Sequence, residues 1–211
     1  MNQYFRIALL VEGEEEEDYW RRLQNLGLIL DEKHLTVINA KSINKIPAKF
    51  HEKYASGRYY AIFIFCDTDH GYAEVRRVVE DTVGEGAAAE LVFFASPCSM
   101  TLLLAHFSKD ELVTTKTVNK KKNGALLKDL GVTFDGDYDA KEEQRSAIMK
   151  QINRQNYQRM KDLISGLPQA DAQTPSTNIL RLLSMIEIGG TDNLDSCLQR
   201  LNAIENKDNE S

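Results

Sequence analysis

The hydrophobic pattern of the first half alternates between two periods. Ile7-Ala8-Leu9-Leu10-Val11 is a short unbroken apolar run and predicts a buried strand. From Glu14 to Leu26, Trp20, Leu23 and Leu26 recur at helical spacing, and Gly27 supplies a stop. Leu35 to Ile38 reads as a second strand. Ile46 to Ala55 reads as a helix, with Pro47 tolerated in its first turn and Gly57 ending it. Tyr59 to Cys66 (YYAIFIFC) is the strongest strand, rich in aromatic and β-branched residues. Gly71 to Val83 puts Tyr72, Val75, Val79 and Val83 on one helical face. Leu91 to Ala95 is a fourth strand, and Ser99 to Phe107 a buried helix. This order predicts an α/β domain over residues 1–108, built on a mainly parallel four-stranded sheet flanked by helices. Strands that are apolar throughout fit a sheet covered on both faces.

The second half has a different texture. Residues 109–128 are locally basic. Helical faces then follow at Met160, Leu163, Ile164 and Leu167, at Ile179, Leu182, Leu183 and Ile186, and at Leu194, Cys197, Leu198 and Leu201. Pro168, Pro175 and Gly189-Gly190 punctuate them. Residues 109–211 are expected to form the basic segment and a helical extension, with a frayed tail from Glu205.

Composition narrows the function classes. The 211 residues carry 26 Lys and Arg against 32 Asp and Glu, a net charge of -6. An acidic protein does not coat nucleic acid through overall charge. The deficit is uneven, however. Residues 109–128 hold six lysines and two acids, a local +4. Cys66, Cys98 and Cys197 form no CxxC pair or zinc spacing, which predicts a reducing cytoplasm. The N-terminal apolar run is too short for a signal peptide, and no run is long enough to span a membrane.

Two acidic clusters sit where chemistry is expected. Glu12-Gly13 follows the first strand, and Asp67-Thr68-Asp69 follows the strongest one. Ligands of parallel α/β sheets bind beyond the carboxyl ends of strands. If the first and third strands are neighbours, these carboxylates converge. Converging carboxylates repel one another, and a divalent cation removes that cost. Oxygen-only ligands suit Mg²⁺ or Mn²⁺, ions that support in-line displacement at phosphorus. Glu12, Asp67 and Asp69 are therefore the candidate catalytic and metal-binding residues.

The motif Val11-Glu12-Gly13, followed by Glu16-Glu17 and Tyr19-Trp20, and the later Phe65-Cys66-Asp67-Thr68-Asp69, resemble the TOPRIM domain. The closer resemblance is to its RloB-like branch, whose VEGxxEExYF and SNPCFExWLLLHF patterns are similar to segments here. The second corresponds to Ala95 through Phe107. The resemblance spans about residues 5–108. It implies a metal-dependent nuclease of anti-phage defence, encoded beside a partner ATPase, with RNA (a tRNA among the options) or DNA as substrate. It also implies an ExxxE metal pair, which adds Glu16 to the ligands, since i and i+4 share a helix face. Two positions depart from the pattern. Ser96 stands for the family Asn, and Met100 for a family Glu, which leaves one or two metals open.

Lys116, Lys120, Lys121 and Lys122 read either as a solvated loop or as phosphate contacts. His70 reads as a proton shuttle, a helix cap or a solvent-facing side chain. His106 reads as a satisfied core residue. The chain has no Walker A motif and no GxGxxG. Three readings remain: a nuclease acting with an ATPase partner, as a single chain or a homo-oligomer; a catalytically degenerate module that binds a partner protein or nucleotide signal; and a receiver-like domain, which the Asp67–Asp69 pair fits poorly.

Overall fold

The computed structural model describes residues 6–68, 71–188 and 199. Five strands form one sheet: β1 (Ile7–Val11), β2 (Leu35–Asn39), β3 (Ala61–Asp67), β4 (Val92–Ser96) and β5 (Ser176–Thr177), in the spatial order β2-β1-β3-β4-β5. The first four are parallel, and β5 runs antiparallel to β4. The architecture is α/β and compatible with a Rossmann-like fold. The expected four-stranded sheet is corrected to five strands. The fifth comes from the second half of the chain, where no apolar run marks it.

Most helices among the described residues follow the apolar faces read above; those over residues 85–91, 120–129 and 142–151 were marked by none. The helices are α1 (Glu14–Asn25), α2 (Ile46–Ala55), α3 (Tyr72–Val83), α4 (Glu85–Leu91) and α5 (Met100–Phe107), then α6 (Lys120–Asp129), α7 (Glu142–Gln151), α8 (Arg154–Ile164) and α9 (Ile179–Ile186). Helices α2, α3 and α4 touch in sequence and form one group. A second group has α1 on α7, and α5 on both α6 and α8. Every residue of β1 and β4 is buried, which requires cover on both faces of the sheet. Edge strand β2 is only alternately buried. Gly27 and Gly57 end α1 and α2 with φ of +61° and +59°, a conformation glycine adopts without a Cβ penalty.

One hydrophobic cluster runs from Ile7 to Ile186, so the core continues through residue 108. Trp20 of α1 packs edge-on against Phe65 of β3 with ring centroids 5.5 Å apart. Each such fully buried side chain contributes about 1.5–3 kcal/mol. His106 is buried as expected. Its Nε2 lies 3.1 Å from the Tyr19 hydroxyl and its Nδ1 3.3 Å from Asn156 Oδ1, and burial lowers its pKa to about 4.

β5 is short but closes an edge. The Thr177 hydroxyl donates to Phe94 O at 2.6 Å. Asn178 accepts from Phe94 N at 2.8 Å and donates to Val92 O at 3.1 Å. Side chains thus complete the pairing that the two-residue strand begins.

The lysine run of the basic segment is helical, while residues 109–119 before it form neither helix nor strand. Asn119 caps α6 by accepting from Lys122 N at 3.0 Å, and the helix buries Asn123, Gly124 and Leu127. Gly124 lies so close to Tyr138 that a Cβ there would meet the Tyr138 Cβ at 2.2 Å. The last expected helical face, Leu194 to Leu201, lies outside the described residues.

Candidate functional site

β1 and β3 lie side by side with Val11 opposite Phe65. Glu12, just past β1, and Asp67, the last residue of β3, therefore reach the same end of the sheet. Glu16 joins them from the first turn of α1. All three line one cavity of about 430 Å³. Asp69 and His70 lie outside the described residues. Of the lysines, Lys120 lines this cavity. Lys121 reaches Asp137 at 3.5 Å, and Lys116 and Lys122 are exposed away from the lining.

Glu16 is buried and fixed through both oxygens. Its Oε2 accepts the Gly13 backbone N–H at 3.0 Å, the return half of the α1 capping box. Its Oε1 accepts the Ser99 hydroxyl at 2.6 Å. The Ser99 backbone N–H donates to Asp67 Oδ1 at 2.7 Å. Ser99, at the start of α5, thus ties the carboxylates of α1 and β3 with two different donors. Ser99→Ala is expected to cost about 1–3 kcal/mol, because it strands a buried carboxylate oxygen. Urea unfolding checks this, and an unchanged midpoint refutes it.

Electrostatics mark the cavity as short of positive charge. Burial pushes the Asp67 carboxyl well above its ordinary value. Glu16 and then Glu12 push it further, against the Ser99 N–H. Glu15, also lining the cavity, is raised to about 7 by burial first and Glu16 second, opposed by Tyr138, Lys120 and Arg145. Arg145 of α7 is committed elsewhere: its Nε meets Asp18 Oδ2 at 2.7 Å and its Nη2 meets Glu14 Oε2 at 3.0 Å.

The donor set suits a hard divalent cation. Glu12, Glu16 and Asp67 offer only oxygen, and the raised Asp67 carboxyl is the state a bound cation relieves. Among the described residues, no group of three His, Cys, Asp or Glu forms a ready-made metal cage. Ser99 and Gly13 each use one acceptor position on a carboxylate, and a carboxylate has about four. The residues suit such an ion by the chemistry of their donors, and as placed they line one cavity without closing into a cage. Met100 is buried on the lining and adds no oxygen.

Sequence reasoning missed Ser99, Glu15, Arg145 and Lys41 at this cavity. Ser99 carries no local signal for this role, which depends on α5 starting beside β3. The other three carry no local signal. No protein-family model, no curated protein and no solved structure matches this chain.

Proposed function

We propose that this chain is a metal-dependent nuclease of the TOPRIM, RloB-like kind, cleaving phosphodiester bonds in RNA or DNA. One observation supports it above the rest: Glu12, Glu16 and Asp67 come from separate elements into one cavity beyond the sheet's carboxyl edge. Bound there, Mg²⁺ or Mn²⁺ would polarise the scissile phosphate and lower the pKa of a water. Glu12, Glu16 and Asp67 would hold it, with Asp69 as the fourth ligand. Ser99 keeps Glu16 and Asp67 in register for that task. Lys120 sets a positive charge at the rim, where a phosphate beside the reacting one can rest. The defence role and the ATPase partner are what the family resemblance implies, and the cytoplasmic setting is what the cysteine usage predicts. Among the described residues, no helix is long and apolar enough to cross a membrane.

Purified protein should cleave RNA or DNA with Mg²⁺ or Mn²⁺ and stop on chelation. Glu12→Gln should slow cleavage by about 100-fold or more, since outer-shell changes alone cost 10–100-fold. Equal cleavage by Glu12→Gln and wild type sinks the assignment.

A second reading has its own observation. Met100 replaces an expected carboxylate, and the Ser99 hydroxyl and N–H take up acceptor positions on Glu16 and Asp67. A catalytically silent module binding a partner fits this. It predicts no Mg²⁺- or Mn²⁺-dependent rise in melting temperature.

A further inference from the structure

Lys41 has φ of +74°, one of two non-glycine residues in the left-handed region among those described. A Cβ is disfavoured there, and glycine would be relaxed. Asn39 holds the conformation: its Oδ1 accepts the Lys41 backbone N–H at 2.7 Å, and its amide donates to Glu17 Oε2 at 2.9 Å. The result is a lysine at the rim of the acidic cavity, in a conformation the chain would shed by using glycine. Retained strain beside a site motivates a functional role for the side chain.

Lys41 also begins a basic stretch. Residues 41–60 hold Lys41, Lys45, Lys49, Lys53 and Arg58 against Glu52 alone, a local +4 equal to that of residues 109–128. Lys45, the N-cap of α2, and Lys49 and Lys53 within it step at four-residue intervals, about 6 Å each. Tyr54 and Tyr60, at the far end, are 46% and 63% exposed. Lys41 follows β2, on one side of β1, while Lys120 of α6 comes after β4, on the other side of β3. The carboxylates at the ends of β1 and β3 thus lie between two cationic arms.

We propose that the two arms form one track that holds a single nucleic-acid strand across the cavity. Lys41 contacts the phosphate nearest the carboxylates, and α2 leads the strand away past Tyr54 and Tyr60. This rests on the nuclease reading and deepens it by specifying the form of the substrate. Exposed tyrosines stack on unpaired bases, whereas a duplex hides base faces in its own stack. The lysines bind the backbone through charge and leave sequence unread.

The test uses the full chain and a labelled 15-mer as single-stranded RNA, single-stranded DNA and duplex. Anisotropy is followed over a salt series in EDTA, and cleavage is followed in parallel with Mg²⁺. Single strands should bind more tightly than duplex. Lys41→Gly should weaken single-strand binding several-fold and reduce the log–log salt slope by about one. It should not lower the melting temperature, because glycine relieves the left-handed strain. Tyr60→Ala should weaken binding about 5-fold or more. Lys33→Ala, the same charge loss at an exposed residue before β2, should change little. The proposal is overturned if Lys41→Gly matches Lys33→Ala, if it lowers the melting temperature, if duplex binds equally well, or if poly-glutamate displaces the strand as well as unlabelled strand does. Normal cleavage with Lys41-independent binding defeats the track and spares the nuclease reading. Lys41-dependent binding without metal-dependent cleavage does the reverse.

Discussion

Asp67→Asn is expected to stabilise the fold and remove metal-dependent cleavage together. The side chain is buried, and Glu16 and Glu12 oppose its ionisation. Asn keeps its shape, and its Oδ1 can still accept the Ser99 backbone N–H. What disappears is the negative charge, a cost to the folded chain at neutral pH and the reason a cation would bind. A gain of about 1 kcal/mol matches typical relief of a strained functional group. In a chain of this size that raises the melting temperature by about 2–4 °C. Cleavage should fall by about 100-fold or more, as for Glu12→Gln. Calorimetry and a cleavage assay on one preparation decide it. A variant that is less stable yet fully active would show that Asp67 is a structural turn residue.

The second large effect is on pH. Glu15 is raised from 4.5 to about 7, so the folded chain binds its proton more tightly than the unfolded chain does. That stability is complete below about pH 4.5 and is lost as the pH rises through about 7. Asp67 acts in the same direction. Glu17, lowered by Asn39 and Arg21 against its burial, acts in the opposite direction, so the comparison must be a difference between variants. The stability of wild type relative to Glu15→Gln should fall across this window, by on the order of 3 kcal/mol at most. Mg²⁺ or Mn²⁺ should then raise the wild-type melting temperature more at pH 8 than at pH 5, because protons compete for the ligands. Parallel melting curves for the two proteins from pH 4 to 8 would refute the account of Glu15. A metal effect independent of pH would refute the competition.

The parts legible in the sequence were those whose signal is local. β1 and α2 fall on the expected residues, and β3 begins two residues later than expected. Glu12 and Asp67 were legible because a strand end is a place. Glu16 came from the resemblance alone, and the helix-face argument for it does not hold: Glu12 precedes the extended N-cap Gly13, and only Glu16 lies on α1. The missed elements lack local contrast. β5 is a Ser-Thr pair that becomes a strand only against β4. α7 buries Gln144 and Arg145 beside Ile148 and Met149, so its inward face does not read as apolar. α6 opens on three lysines, against its own dipole, and depends on the Asn119 cap and on Gly124 fitting under Tyr138. Lys41 is the sharpest case. A left-handed backbone is usually inferred from glycine, and here the residue is lysine.

The closure of the sheet by β5 has a consequence for synthesis. Its four parallel strands are complete in sequence once Ser96 has been made, yet the partner of β4 lies about eighty residues later. During that interval the backbone groups of Val92 and Phe94, later met by Thr177 and Asn178, face outward. A bare strand edge is a template for pairing with another chain. The nascent protein therefore passes through a stage in which its most apolar layer is built and one side of it is open. Crowded synthesis or a truncation before residue 176 would turn that stage into aggregation. The two residues of β5 matter less for the contacts they add than for when they arrive.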